Sequence, residues 1–235
     1  MKKSLYALGA LALLGAAPAY AHTETYNVTL TFHEPDTQPR DTIFNGTFDF
    51  DPHTLTVSNL HGMLSESMTG DPFNAGPNGD YGMTWLNLTH QLSSTAVTLG
   101  GVDGLLVTTF LNSNTNTFST MFGGDGWTPA AGVGAGGVYY GFPTPANNPG
   151  NAYTMIFVPT ADPTMALAQA QIDKLAYADC APGGMMGAVC MTGTTVAGYG
   201  SNGTMSGFPV SQTITAAPVP EAETWGMMLA GLGLV

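Results

Sequence analysis

Residues 25–33 alternate strictly, with Tyr26, Val28, Leu30 and Phe32 at every second position and polar residues between them. A period of two sends successive side chains to opposite faces of an extended chain, so this segment reads as a half-buried strand. Residues 43–50 repeat the pattern more loosely around Gly46, with Phe44, Phe48 and Phe50 in register and Asp51-Pro52 as the stop. Residues 54–60 supply Leu55 and Val57 for a third strand, and Leu60-His61-Gly62 predicts a bend. Further strands are expected over 83–92, 96–99, 105–111, 115–122, 153–158, 189–196 and 205–215, with Asn112-Ser113-Asn114 as a hairpin turn. One stretch departs from this rhythm. Met165, Ala168, Ile172 and Leu175 recur at spacings of three and four, behind Asp162 as cap and Pro163 in the first turn. That pattern predicts a short amphipathic helix over about 163–178.

Many short strands with a single helix point to a mainly β fold, an antiparallel β-sandwich or jelly roll. Composition agrees: the chain holds 31 glycines, many Thr, Asn and Ser residues, and almost no Lys. Residues 123–150 form a long Gly-, Pro- and Asn-rich loop carrying Trp127, Tyr139, Tyr140 and Phe142. A loop of this length inside a domain is commonly functional or mobile. Trp127, Tyr139 and Tyr140 suit a platform that stacks on sugar rings, and they suit equally a cover over the core.

At the amino end, Lys2 and Lys3 precede an apolar run over 5–17 and the small-x-small site Ala19-Tyr20-Ala21. This is the layout of a secretory signal peptide, with cleavage expected between Ala21 and His22. Without that peptide, Arg40 and Lys174 are the only basic residues against sixteen acidic ones. Nucleic-acid partners are excluded by this balance, since phosphate neutralisation needs clustered Lys and Arg. Adhesion to anionic lipid is excluded for the same reason. An acidic, sparsely charged exported chain is instead held apart from its copies by repulsion. Cys180 and Cys190 flank a loop containing Gly183, Gly184 and Gly187. In an exported chain such a pair is expected to form a disulfide, contributing about 2–3 kcal/mol in the chain-entropy picture.

The carboxyl end reads Val-Pro-Glu-Ala-Glu-Thr-Trp-Gly-Met-Met-Leu-Ala-Gly-Leu-Gly-Leu-Val from Val219 to Val235. It resembles the PEP-CTERM sorting signal of Gram-negative bacteria, a Val-Pro-Glu-Pro box and Trp followed by an apolar helix and a basic tail. Pro220, Glu221 and Trp225 match the box, while Ala222 stands where the second proline is usual. The apolar run from Trp225 to Val235 covers eleven residues without a Lys or Arg cluster. A spanning helix needs roughly twenty, so the segment is expected to be an incomplete copy of the signal. The stretch from Asn45 to Asp51 is also similar to the opening Gly-x-Phe-x-Phe-Asp hairpin of many proteins with this signal. The resemblance implies recognition by an exosortase-type membrane protease, transient membrane association through the C-terminal segment, and cleavage near the Pro-Glu box. It further implies delivery to the cell surface or extracellular matrix, in association with exopolysaccharide and biofilm. The expected organisation is therefore a signal peptide at 1–21, a β-rich extracellular domain at 22–217 and a sorting segment at 218–235.

Signatures of chemistry are sparse. The chain has no His-Glu-x-x-His, Cys-x-x-Cys-His or Gly-x-Ser-x-Gly motif, and no enzyme is expected. A mature N-terminal His22 would offer its amine and imidazole to copper, with His90 or His61 as partner. Exported copper mono-oxygenases that attack polysaccharide look like this. Asp49 and Asp51 share a strand face and would suit calcium or a glycosidase pair, or simply a solvated edge. Asp71, Asn74, Asn78 and Asp80 bring oxygen ligands that would suit calcium into a Gly/Pro loop, but their spacing departs from the EF-hand and no cofactor is expected. The leading expectation is a structural or adhesive surface protein, with a secreted carbohydrate-binding module built on residues 123–150 as the alternative.

Overall fold

The computed structural model describes residues 23–33, 41–66, 82, 84–113, 151–179 and 208–218. Among the described residues nine strands follow one another: β1 (Glu24–His33), β2 (Thr42–Asp51), β3 (Thr56–Glu66), β4 (Thr84–Leu88), β5 (His90–Leu99), β6 (Val102–Phe110), β7 (Ala152–Pro159), β8 (Ala176–Asp179) and β9 (Phe208–Ala216). They form two antiparallel sheets, ordered β4-β3-β2-β1-β9 and β5-β6-β7-β8. The chain is a β-sandwich, as the alternation predicts.

In the first sheet the alternation sorts the faces cleanly. Tyr26, Val28, Leu30 and Phe32 are buried along β1 while Thr25, Asn27 and Thr29 face out. Glu24 accepts a 2.6 Å hydrogen bond from the Tyr26 hydroxyl, and burial, followed by that bond, pushes this hydroxyl up to about 12. The second sheet has a different character. Every residue of β7 and most of β6 is buried, so these strands read as continuous apolar runs covered on both faces. The Phe32 and Tyr177 rings, with centroids 4.4 Å apart, join the two sheets. They belong to one core with Leu30, Phe44, Phe48 and Leu64 on one side and Val107 and Ile156 on the other.

Three expectations are corrected. The helix predicted over 163–178 shrinks to one turn, α1 (Gln169–Ile172). Asp162 accepts hydrogen bonds from the Thr164 backbone N–H (2.8 Å) and hydroxyl (2.7 Å), and the Met165 N–H bonds to the Asp162 carbonyl. That closes a tight turn where a helix was to begin. Leu175 then enters the core and Ala176–Asp179 pairs with β7, so burial beside a sheet overrides local periodicity. The bend expected at 60–62 is instead a register shift within a continuous β3. The single strand expected over 83–92 is two, because Thr89 leaves β4 and donates its N–H to the Phe110 carbonyl of the other sheet. Of the other expected strands, 115–122 and 189–196 lie outside the described residues.

The ladders are completed by primary amides acting as substitute peptide groups. β8 pairs with β7 only from Ala152 to Met155, leaving Phe157 beyond its reach. Gln212 of β9 fills the gap: its amide accepts the Phe157 N–H at 2.9 Å and donates to the Phe157 carbonyl at 2.6 Å. Asn151 makes the same reciprocal pair with the Asn112 backbone, both bonds at 3.1 Å. Gln171 accepts the Ala168 N–H at 2.6 Å and donates to the Leu99 carbonyl at 3.0 Å, which fastens α1 to the β5–β6 turn. Gln91 of β5 accepts the Leu60 N–H at 2.8 Å and donates to the Val57 carbonyl at 2.9 Å. An amide offers one donor edge and one acceptor at peptide spacing, so each of these satisfies two backbone groups without introducing charge.

Two hydroxyls break the pattern. Thr109 and Thr154 are cross-strand neighbours on β6 and β7, fully buried, and neither hydroxyl has a partner among the described residues. A buried unsatisfied polar group costs about 1–3 kcal/mol, whereas its isosteric apolar replacement does not. Thr109→Val combined with Thr154→Val is therefore expected to raise the urea midpoint without changing the slope. A lowered midpoint would mean that the hydroxyls bind an ordered water.

Candidate functional site

Where β2 meets β3, the pairing runs Thr47 to His61 and then Asp49 to Ser58, so one extra residue is accommodated in β3. Asn59 takes the left-handed conformation (φ 56°) that this bulge requires. Asn is among the few side chains that adopt it readily. The bulge allows both Val57 and Leu60 to be buried although they are three apart, and it turns Asn59 and His61 outward. Beside them lies a groove of about 740 Å³ lined by Thr25, Thr47, Asp49, Asn59, His61 and His90 among others.

Hydrogen bonds hold these side chains in one network across β1, β2 and β3. Asp49 accepts from the Thr25 hydroxyl at 2.7 Å through one oxygen and from the Asn59 amide at 2.6 Å through the other. His61 Nδ1 donates to the Asn59 carbonyl at 2.6 Å, which turns Nε2 toward the Thr47 hydroxyl. Its Nε2 then accepts from the Thr47 hydroxyl at 3.2 Å. His90 Nδ1 lies 3.1 Å from the Thr89 hydroxyl at the far side of the groove. The floor is fixed by Gln91, whose amide ties the bulge to β5. The result is a prearranged set of hydroxyl, amide, carboxylate and imidazole groups, with no Lys or Arg among the described residues that line it.

Asp49 and Asp51 do not work as a pair. Asp51 accepts the N–H groups of His53 (2.8 Å) and Thr54 (3.3 Å), closing the β2–β3 turn. The His53 N–H, its largest influence, holds the Asp51 carboxyl below the usual range. A glycosidase general acid needs the opposite shift. Among the described residues no three His, Cys, Asp or Glu side chains gather into a metal site. His33, at the other end of β1, is bonded to Asp41 at 2.8 Å.

Ala21 and His22, expected to flank signal cleavage, lie outside the described residues, as do the loop aromatics Trp127, Tyr139 and Tyr140. So do Cys180 and Cys190, the residues Pro220, Glu221 and Trp225 expected to carry a sorting signal, and the loop acids Asp71 and Asp80. His61 and His90, expected only as partners of a copper-bound His22, line one groove together. Thr25, Thr47 and Asn59 were not anticipated. For Asn59 the sequence carries a signal: Val57 and Leu60 cannot share a face of an unbroken strand, so a bulge has to lie between them. Compared with protein-family models, with curated proteins and with solved structures, the chain matches none.

Proposed function

We propose that this chain is an exported, non-catalytic β-sandwich of the cell surface or extracellular matrix, trimmed at both ends by signal peptidase and an exosortase-type protease. One observation supports the reading above the others. The strands run from Glu24 to Ala216, between the two cleavage points that the signals imply. β1 and β9 are neighbours: Tyr26 pairs with Ala216, and the Ala217 N–H bonds to the Thr25 carbonyl at 2.8 Å. Cuts after Ala21 and near Pro220 would leave every described strand in place, and both removed segments would depart from the same end of the first sheet. Changing Pro220, Glu221 and Trp225 together to Ala is expected to keep the protein in the membrane fraction of its native host. Unchanged release would contradict the sorting role.

A second reading has its own support. The Asp49–Asn59–His61 network presents fixed donors and acceptors to hydroxyl-rich ligands, which favours glycan binding by the same body. Asp49→Ala and His61→Ala are each expected to weaken binding of neutral oligosaccharides at least about tenfold in calorimetry, the loss of one charge-assisted or neutral bond. Trp127→Ala tests the loop aromatics in the same assay. A wild-type protein that retains no glycan would remove this reading.

A further inference from the structure

β5 is an edge strand of the second sheet, and among the described residues no strand pairs with it on the side away from β6. It is ten residues long, and Ser94, Thr95, Ala96 and Thr98 are exposed. Edge strands of this length are ordinarily guarded by a charge, a proline, shortness or a central bulge. β5 has none of these: its sequence His-Gln-Leu-Ser-Ser-Thr-Ala-Val-Thr-Leu lacks Asp, Glu, Lys, Arg and Pro. Its one irregularity, between Gln91 and Ser93, sits near the start and leaves Ser94–Leu99 regular. The other long edge is less suited. β9 carries Pro209 and a register shift against β1, and its Gln212 is turned across to β7. β4 has five residues.

We propose that β5 pairs antiparallel with β5 of a second copy, joining two four-stranded sheets into one. The inference rests on the matrix reading for its purpose, and on the strand itself for its chemistry. Charge selects the occupant. Beyond the signal peptide the chain carries sixteen acidic residues against Arg40 and Lys174, so copies repel except where they meet along a strip free of acid. β5 is such a strip. Two-fold pairing is self-complementary, since each contact occurs twice. Setting Ala96 against its own equivalent places Ser94 opposite Thr98 and Thr95 opposite Val97. These are a hydroxyl pair and a β-branched pair, both favourable across antiparallel strands. An apolar anchor lies alongside. Leu55 is 45% exposed in a left-handed conformation (φ 52°) and shares a groove of about 470 Å³ with Ala96, Val97 and Leu105, rimmed by Thr98, Asp103 and Thr160.

The test is sedimentation equilibrium of the full-length gene product purified from its host, from about 1 µM to about 1 mM. Wild type and Ala96→Ser are expected to dimerise with rising concentration, while amide exchange over 94–98 slows. Ala96→Lys puts two like charges at the axis and is expected to raise the dimer dissociation constant at least about tenfold with an unchanged monomer melting curve. A wild type that stays monomeric throughout, or a dimer indifferent to Ala96→Lys, overturns the proposal. A processed surface protein that remains monomeric removes this inference alone. A dimer through β5 that is never exported removes the matrix reading alone.

Discussion

Replacing Gln212 by Leu is expected to destabilise the sandwich by about 2–5 kcal/mol, because the Phe157 N–H and carbonyl both stay buried and lose their partner. For a domain of this size the melting temperature should fall by roughly 5–15 °C. Leu fills similar volume, so the loss isolates hydrogen bonding from packing. Gln212→Glu provides the sign test. A buried carboxylate facing the Phe157 carbonyl has its pKa raised, so its neutral form is the one that restores the donor. The stability recovered by this variant is fully present below the unfolded Glu value of about 4.3 and is lost as pH rises through the folded value. The variant should therefore approach wild type in acid and fall away toward neutrality. Chemical denaturation at several pH values checks both substitutions. A Gln212→Leu protein within about 0.5 kcal/mol of wild type would show that the amide clamp does not matter.

Gly62→Ala is expected to be comparably damaging, at about 3 kcal/mol or more. Gly46 and Gly62 face each other across β2 and β3, and the fully buried Phe44 ring lies over both. A Cβ on Gly62 would fall 2.5 Å from the Gly46 Cα and 2.8 Å from that ring, and closer still to the Asn45 carbonyl. Two of these obstacles are backbone, so β3 itself must shift. Asn59 and His61 ride on the same strand, and their bonds to Asp49 and Thr47 should loosen with it. Phe44→Ala alone should cost about 3–5 kcal/mol by leaving a cavity. In the double variant the smaller side chain makes room for the new methyl, so the two losses should add to less than their sum by at least about 0.5 kcal/mol. Full additivity would mean that ring and glycines do not act as one unit.

What was readable in the chain depended on how local the cause is. The alternation of Tyr26, Val28, Leu30 and Phe32 needs no distant partner, and β1 appears where that pattern lies. The stripe of Met165, Ala168, Ile172 and Leu175 misled because its last member answers to β7 and the core rather than to a helix face. The amide clamps were not readable, since Gln212 meets Phe157 across 55 positions and only the early end of β8 makes it necessary. His61 and His90 stand out in the chain as imidazoles, but their common groove depends on two sheets meeting at the β3 bulge. Asp49 and Asp51 share a strand, and local hydrogen bonds nonetheless give them separate duties.

The proposed function is that of a sandwich released intact from between two removable signals. Its most direct test is the intact mass of the protein from surface and medium fractions of cells expressing the whole gene. The expected species begins at His22 and ends between Pro218 and Thr224. A mature species that still carries Trp225 would contradict it.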